Sequence, residues 1–268
     1  MDVLADMAIP MPGIVISDML GVLPEDQPQF KKWSSDITGR NVAGGGKISV
    51  SDLYELSQKS FFELPDYFRG VIETLRGHPE DNLLSAKVEE AGDKLTTDEL
   101  IAPCVLLMFA GNETTTMIGN GMLALLQHPD QLQMLQGNAE LIGPAVEELL
   151  RFDSPVQKTA RMAIDDIEIG GKVIKAGDLA MLCYGSANRD PEQFEHSNRL
   201  DITRADNRHL AFAQGIHYCL GSALACIEGQ IAINTLVKRM PGIKLAGGVP
   251  ERDPTTHIWG LKALPVSF

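Results

Sequence analysis

A ten-residue loop from Phe212 to Gly221 presents a single cysteine, Cys219, and is the stretch of this sequence best suited to hold a metal. Gly215 lies four residues before Cys219, and Gly221 lies two residues after it. Because glycine adopts positive φ and allows close backbone approach, the loop can hold the cysteine out toward a bound group. Backbone amides directed at the sulfur would stabilise the thiolate, which is the metal-binding form of cysteine. The alternative is a buried structural cysteine in a loop that caps a helix.

A second unusual stretch lies in the middle of a long predicted helix. Thr96 and Glu99 form the capping-box pattern Thr-x-x-Glu, and the apolar run behind them predicts a helix to Gln127. Residues 110 to 116 read Ala-Gly-Asn-Glu-Thr-Thr-Thr, although glycine costs about 1 kcal/mol relative to alanine in a helix. Such a break in a buried helix often marks a site. The alternative is a polar helix crossing, with threonine hydroxyls bonded to the preceding turn.

An acid and a base, Glu148 and Arg151, lie three residues apart in the next predicted helix, and Pro144 suits the first turn of that helix. This spacing places both side chains on one helix face. From the residues alone, the expectation is an exposed ion pair worth less than about 1 kcal/mol.

The composition disfavours several classes of protein. The chain of 268 residues can bury a large core, and its net charge of -13 disfavours a nucleic-acid partner. Its four cysteines form no Cys-x-x-Cys pair, which suits a reducing compartment and argues against a zinc ribbon or a disulfide framework. No secretory pattern opens the sequence, and its apolar runs are too short to cross a bilayer. We therefore expect a cytoplasmic protein with no nucleic-acid or membrane partner.

The elements that position these residues are predicted to be mainly helical, with small β-sheets. The spacing of apolar residues changes from a helical to a strand pattern at Arg161. Arg161 is expected to open a hairpin that turns at Gly170-Gly171, and a further strand is expected at 179–183. An irregular stretch of roughly 25 residues then leads to the cysteine loop. A stretch of this length without helix or strand is long for a compact domain. An apolar helix follows from Ser222 to Val237. We predict a single domain over residues 1–268.

The pattern Phe-x-x-Gly-x-His-x-Cys-x-Gly, followed by an apolar helix, resembles the cysteine-ligand loop of the cytochrome P450 haem-thiolate monooxygenases. The resemblance implies that the chain binds haem b, with Cys219 as the metal ligand. It also implies that Phe212 and Gly215 are among the cofactor-binding residues.

Residues 110 to 114 resemble the oxygen-binding helix of the same family, whose pattern is Ala-Gly-x-Asp/Glu-Thr. The resemblance implies that Gly111 leaves room over the iron and belongs to the cofactor site. It assigns two catalytic residues: Thr114, whose hydroxyl would bond the distal oxygen, and Glu113, which would help to deliver protons.

The resemblance implies two ligands of the haem propionates. Arg161 is one, and His217, two residues before the cysteine, is the other. Arginine is suited to paired, charge-assisted hydrogen bonds with carboxylates. The alternatives are a surface charge at a strand end for Arg161 and a loop hydrogen bond for His217. His209 could reach the same edge.

The family also has a buried Glu-x-x-Arg pair that a second arginine joins, and this network fixes the segment under the haem. Glu148 and Arg151 resemble the pair. The matching position for the second arginine is Arg199, in Ser197-Asn198-Arg199-Leu200. The family usually has proline at the first and phenylalanine at the last of these four positions.

The resemblance covers the chain from end to end, but only the later two-thirds of the family's pattern. We therefore expect a cytochrome P450 fold that is truncated at its N-terminus, with exposed apolar surface through which the chain could self-associate. Two segments, 155–159 and 255–259, are expected to line the substrate cavity.

The implied activity is O2 activation and hydroxylation of a small organic substrate, with electrons from a ferredoxin- or flavodoxin-type partner. Two alternatives stay open. One is a haem-thiolate peroxygenase or isomerase, which would not need the pair Glu113 and Thr114. The other is a truncated, non-catalytic haem-binding or accessory protein.

Overall fold

The computed structural model describes residues 1–38, 50–111, 113–252 and 258–268. These residues are mainly helical and carry three two-stranded sheets, so the predicted fold class is confirmed. The helices are α1 (Pro10–Met19), α2 (Gln27–Thr38), α3 (Val50–Gly77), α4 (Leu83–Ala91), α5 (Thr97–Gly111), α6 (Glu113–Gln127), α7 (Pro129–Gly137), α8 (Ile142–Phe152), α9 (Tyr184–Ala187) and α10 (Ser222–Arg239). The strands are β1 (Thr159–Met162), β2 (Ile167–Ile169), β3 (Lys172–Ile174), β4 (Leu179–Leu182), β5 (Lys244–Leu245) and β6 (Val266–Ser267).

The chain divides into two compact units. The first contains Met1–Gly119, Leu245–Thr256 and Leu261–Ser267. The second contains Asn120–Lys244, His257–Gly260 and Phe268. The expectation of one haem-binding domain over residues 1–268 stays a prediction.

The first unit is built on α3 and α5, against which α1, α2 and α4 pack. Residues of α3 at helical spacing form its buried face, since Phe68 and Ile72 are fully buried. Phe30 of α2 meets Phe68 edge to face, with the ring centroids 6.4 Å apart. Phe61 and Phe62 also belong to the apolar pattern of α3, but 50% and 69% of their surface is exposed. The apolar pattern therefore extends beyond the face that the unit buries.

The capping box predicted before α5 is confirmed. Thr96 Oγ1 accepts a hydrogen bond from the backbone N of Glu99 at 3.2 Å, and Glu99 Oε2 accepts one from the backbone N of Thr96 at 2.8 Å. The predicted end at Gln127 is also correct, and Pro103 lies within α5. By length and composition, residues 97–127 could cross a bilayer, but 47% of their most apolar window is buried inside the protein, and core helices pass the same test.

In the second unit, α7 and α8 pack against α10. The predicted hairpin is β2–β3, and its turn contains Gly170 and Gly171, both with positive φ. The expectation that Arg161 opens this hairpin is wrong. Arg161 lies in β1, which pairs with β4 and places Arg161 opposite Ala180. The β1–β4 ladder continues where the backbone N of Ala163 donates to the carbonyl of Asp178, so the hairpin is an excursion between the two strands.

Candidate functional site

The cysteine loop is closed by its own backbone. The backbone N of Cys219 donates to the carbonyl of Phe212 at 2.9 Å, and that of Tyr218 donates to the carbonyl of Gly215 at 3.0 Å. Cys219 is exposed, so the interpretation as a buried structural cysteine is wrong. The loop holds its thiol outward at the start of α10.

Positive φ is needed before the cysteine but not after it. Gly215 has a φ of 67°. Ala213 has a φ of 60°, which is uncommon for a residue other than glycine. Gly221 has a φ of -87° and caps α10. The predicted need for glycine conformation therefore applies to Gly215 alone.

Apolar side chains of the cysteine loop and of α10 are exposed to solvent. Ile216 and Leu220 in the loop are 98% and 86% exposed, and Ile227 and Ile231 on α10 are 54% and 59% exposed. Exposed apolar surface of this kind marks a place where a ligand or a partner binds. The loop thus combines a soft metal donor with apolar surface.

Two of the other three cysteines, Cys104 and Cys226, are less suited to hold a metal. Burial raises the pKa of the Cys104 thiol to about 12, and burial followed by the negative charge of Glu147 raises that of Cys226 to about 12. Both thiols therefore stay protonated at neutral pH, whereas a metal ligand must be a thiolate.

The two predicted propionate ligands lie at the surface of the second unit. Arg161 donates from Nη1 to the carbonyl of Ala160 at 2.8 Å and to Thr159 Oγ1 at 3.2 Å. Among the described residues, no carboxylate forms an ion pair with Arg161. His217 ends the 3-10 turn Gly215–His217 and is exposed. Both side chains are accessible to an anionic group, and their role stays a prediction.

His209 does not reach toward an open edge, because it is buried beside α8. Its Nε2 lies 2.9 Å from Glu147 Oε2, and its side chain is only 4% exposed. The backbone N of Ala211 donates to His209 Nδ1 at 3.2 Å, so Nε2 carries the proton and donates to Glu147. The Cys226 thiol donates to the other oxygen of Glu147 at 3.3 Å. This cluster joins α8, α10 and the segment that leads into the cysteine loop.

The Glu147 cluster predicts a specific loss of stability in acid. The hydrogen bond from His209 lowers the pKa of Glu147 below its ordinary value of 4.5. A carboxylate with a lowered pKa stabilises the folded state above its unfolded pKa, and this contribution is lost as pH falls through the folded pKa. We expect the free energy of unfolding of Glu147→Gln to fall less than that of the wild type between pH 5 and about pH 3.

Urea unfolding at several pH values measures this difference, with Glu140→Gln as the matched control because Glu140 is exposed. Parallel pH dependence in the wild type and Glu147→Gln would show that the cluster does not stabilise the fold.

The pair Glu148 and Arg151 is fully buried and bidentate, so the interpretation as an exposed ion pair is wrong. Arg151 donates from Nε to Glu148 Oε2 at 2.7 Å and from Nη2 to Oε1 at 2.8 Å. Arg151 also donates to the carbonyls of Asn188, Ser197 and Arg199, at 2.7, 2.8 and 3.1 Å. One guanidinium thereby fixes the irregular stretch that precedes the cysteine loop.

The third member of this network is Arg204, and the expectation that it is Arg199 is wrong. Arg204 Nε donates to Glu148 Oε2 at 3.0 Å, and the Arg204 side chain is only 11% exposed. Arg199 is exposed and contributes its backbone carbonyl. The two arginines are five residues apart in a stretch without helix or strand, so no periodicity indicates which one turns inward. The backbone N of Asp201, which donates to Glu148 Oε1 at 2.9 Å, fixes the local turn that decides it.

The predicted catalytic residues lie in the first turn of α6, in the first unit. Thr114 is 7% exposed, and its neighbour Thr115 is 3% exposed. In the part of the chain that the structure describes, the buried Thr115 Oγ1 has no hydrogen-bond partner. Asn112, which precedes Glu113 in the motif, is outside the described residues. The polar break in the helix is thus a buried one, and the catalytic roles stay predictions.

Gly111 has a packing reason to be glycine. A Cβ at this position would lie 2.3 Å from Ile16 Cγ1 of α1. The structure therefore shows that the absent side chain admits Ile16, while room over an iron stays a prediction.

We expect Gly111→Ala to lower the free energy of unfolding by about 1 to 3 kcal/mol, because the methyl group overpacks the α1–α5 contact. Gly70→Ala is the matched control, since a Cβ there meets no atom within 4 Å and alanine favours the helix. Chemical denaturation of both variants measures the difference. Equal stability of Gly111→Ala and the wild type would show that Ile16 moves away at no cost.

One pair of segments predicted to line the substrate cavity is partly described. The backbone N of Trp259 donates to the carbonyl of Pro155 at 2.8 Å, so the described parts of 155–159 and 255–259 touch within the second unit. Residues 255 to 257 lie outside the described residues.

Comparison with known proteins identifies the family. The family described as Cytochrome P450 matches residues 80–241. The chain is 42% identical over 270 residues to the biotin biosynthesis cytochrome P450 of Bacillus subtilis, covering 100% of this chain and 67% of that protein. It is 42% identical over 273 residues to the polyketide biosynthesis cytochrome P450 PksS of the same organism, covering 100% and 65%.

The fold agrees with the sequence. The solved structure of P450BioI in complex with hexadec-9Z-enoic acid ligated acyl carrier protein matches with a TM-score of 0.90 at 41% identity, covering 100% of this chain and 68% of that one. The chain spans about two-thirds of the length of the curated relatives it matches, between 65% and 67% for the first three. With the fold and the family model in agreement, the chain belongs to the cytochrome P450 family.

Proposed function

We propose that this chain binds haem b through Cys219 and serves as a haem-thiolate monooxygenase. The observation that carries the proposal is the exposed Cys219, held at the start of α10 by a loop with positive φ at Gly215, in a chain of this family. We also propose that residues 1–268 act as one haem-binding domain.

The donor set of the second unit fits the group. Haem offers an iron that accepts a thiolate, an apolar macrocycle and anionic propionates. The second unit offers an exposed thiol, the exposed Ile216 and Leu220 beside it, and the guanidinium of Arg161. The thiol suits the iron, the two apolar side chains suit the macrocycle, and the guanidinium suits a propionate. Phe212 contributes the carbonyl that fixes the backbone of Cys219, and His217 is an accessible second donor for a propionate.

When bound, the haem supplies O2 activation, and thiolate donation favours O–O cleavage. The chain's own residues do the rest. Glu113 in the first turn of α6 would hold a proton, and the Thr114 hydroxyl would pass it on. Gly111, which has no side chain, would leave room over the iron. Residues 155–159 and 255–259 would shape the cavity and exclude water.

We propose a small organic substrate, O2 and a ferredoxin- or flavodoxin-type electron donor as partners, in the cytoplasm. Solved relatives show the range of ligands in the family: P450BioI is in complex with an acyl carrier protein that carries hexadec-9Z-enoic acid, and CYP109E1 from Bacillus megaterium is in complex with testosterone. These ligands share a large apolar body. We therefore place the substrate of this chain in the class of apolar organic molecules.

A second candidate function is a non-catalytic haem-binding or accessory protein that self-associates. The exposed apolar residues favour it, since Ile216, Leu220 and Phe62 are 98%, 86% and 69% exposed. A haem-thiolate peroxygenase is the third candidate, and the pair Glu113 and Thr114 favours the monooxygenase over it.

The carbon monoxide spectrum of the purified chain tests the proposal. The chain is mixed with haem, reduced and exposed to carbon monoxide. A strongly red-shifted Soret band is expected, because thiolate ligation produces it. Absence of haem uptake overturns the proposal for this chain. Haem uptake with product formed from peroxide but not from O2 and reduced ferredoxin favours the peroxygenase.

A further inference from the structure

The first unit contains a cavity that the proposed function does not use. It lies between α1 and α2, has a volume of about 460 Å³ and is bounded by residues of 9–35. Ligand cavities are typically about 300 to 1,000 Å³, so this one is large enough for a small organic molecule. Its distinctive lining residues are Gly13, Ile14, Phe30 and Lys31.

The lining is apolar on most sides. Ile9, Pro10 and Ile14 come from the start and the exposed face of α1, and Pro24 and Pro28 come from the entry to α2. Ile14 is 51% exposed although it faces this space. When an apolar molecule covers apolar surface that is in contact with solvent, the free energy falls by about 25 cal/mol per Å² of surface buried.

Lys31 is the one charged side chain among the described residues that line the cavity. The next lysine, Lys32, is paired with Asp36 at 2.6 Å, whereas Lys31 has no acidic partner among the described residues. Asp18 does not line the cavity and accepts a hydrogen bond from Gln27 Nε2 at 3.3 Å. Among its described lining residues, the cavity therefore offers a single cation beside a mainly apolar surface that also contains the polar side chains of Ser17, Gln27, Ser34 and Ser35.

We propose that this cavity is a binding site for an apolar molecule with one anionic group, whose apolar body fills the space beside Gly13 and Ile14 and whose anion pairs with Lys31. The cavity lies within the first unit, in residues separate from Cys219 and its cluster. The site can therefore be tested in the haem-free chain, and its failure would leave the haem proposal intact.

Two substitutions separate the apolar and the charged parts of the site. Gly13→Leu fills the cavity, and it is tolerated by the backbone because a Cβ at Gly13 meets no atom within 4 Å. Gly70→Leu is the matched control: it lies in α3 of the same unit, also with no atom within 4 Å of a Cβ. Lys31→Met removes the charge and keeps an apolar side chain of similar length.

Trp33 reports on the site, because it lies in α2 next to Ser34, which lines the cavity. Trp259→Phe leaves Trp33 as the single tryptophan of the two in the chain. In this background the fluorescence of Trp33 is titrated with decanoate, with decanol, which has the same length and no charge, and with decyltrimethylammonium, each below its micelle concentration. Circular dichroism of every variant checks that it is folded.

Decanoate is expected to bind saturably and about tenfold more tightly than decanol, a difference of about 1.4 kcal/mol. Lys31→Met should bring decanoate to the affinity of decanol, and Gly13→Leu should weaken both at least tenfold, while Gly70→Leu should change neither. Equal affinity of the wild type for the three probes overturns the anion assignment. No binding by the wild type, or unchanged binding by Gly13→Leu, overturns the site. If Gly13→Leu does not fold, the comparison of Lys31→Met with the wild type decides the proposal.

Discussion

Replacing Cys219 by alanine is expected to abolish the red-shifted carbon monoxide band of the haem-loaded chain. The thiolate of Cys219 is the proposed iron ligand, and two of the other three thiols are unsuited to replace it. Burial raises the pKa values of Cys104 and Cys226 to about 12, so both remain neutral thiols at pH 7. Difference spectroscopy of the reduced protein measures the loss.

Cys183→Ala is the matched control, because Cys183 is the other exposed cysteine. The control is expected to keep the full shifted band. A shifted band in Cys219→Ala at wild-type intensity would mean that another residue ligates the iron and that the cysteine loop has a different role. Haem retained equally by both variants and by the wild type, with no shifted band in any of them, would point instead to nonspecific haem binding.

Replacing Glu148 by glutamine is expected to lower the free energy of unfolding by about 3 to 5 kcal/mol, because it removes the negative charge that compensates the buried guanidinium of Arg151 and the partly buried one of Arg204. Glu148 accepts hydrogen bonds from both nitrogens of Arg151 and from Arg204. An uncompensated buried charge is costly, and this loss is a large share of the roughly 5 to 15 kcal/mol that stabilises a typical domain. Urea or guanidinium denaturation of the haem-free chain measures it. Unfolding free energy within about 0.5 kcal/mol of the wild type would contradict a structural role for the cluster.

The same cluster separates the two candidate arginines. Arg204→Met should cost about 1 to 3 kcal/mol, because it removes a charged donor to the buried Glu148 Oε2, which keeps its hydrogen bonds from Arg151 Nε and Asn207 Nδ2. Arg199→Met should change stability by no more than about 0.5 kcal/mol, since Arg199 contributes its backbone carbonyl and that group is kept. The reverse order of the two variants would restore Arg199 as the third member.

Much of the local structure could be predicted because neighbouring residues determine it. The capping box at Thr96 and Glu99, the end of α6 at Gln127 and the glycine turn between β2 and β3 all depend on side chains or φ values within a few residues. The cysteine loop belongs to the same group. Its closing hydrogen bond joins Cys219 to Phe212, only seven residues away.

Contacts between distant segments were decided by the tertiary structure. Arg204 meets Glu148 across 56 residues, and His209 meets Glu147 across 62. Arg204 and His209 both lie in the irregular stretch before the cysteine loop. No apolar repeat of 2.0 or 3.6 residues there indicates which side chains turn inward. The sequence and its resemblance to the family therefore pointed to Arg199, and they allowed His209 to reach the haem edge.

The sequence by itself determined the family and the fold class, and it singled out Cys219 as the candidate metal ligand, because these are carried by residue types at short, fixed spacings. The tertiary structure decided that Arg204 rather than Arg199 joins Arg151 in pairing with Glu148, that Gly111 admits Ile16, and that apolar residues of the cysteine loop face solvent. The physical reason is that burial and charge pairing depend on the path of the whole chain. A pattern of neighbouring residues does not contain that path.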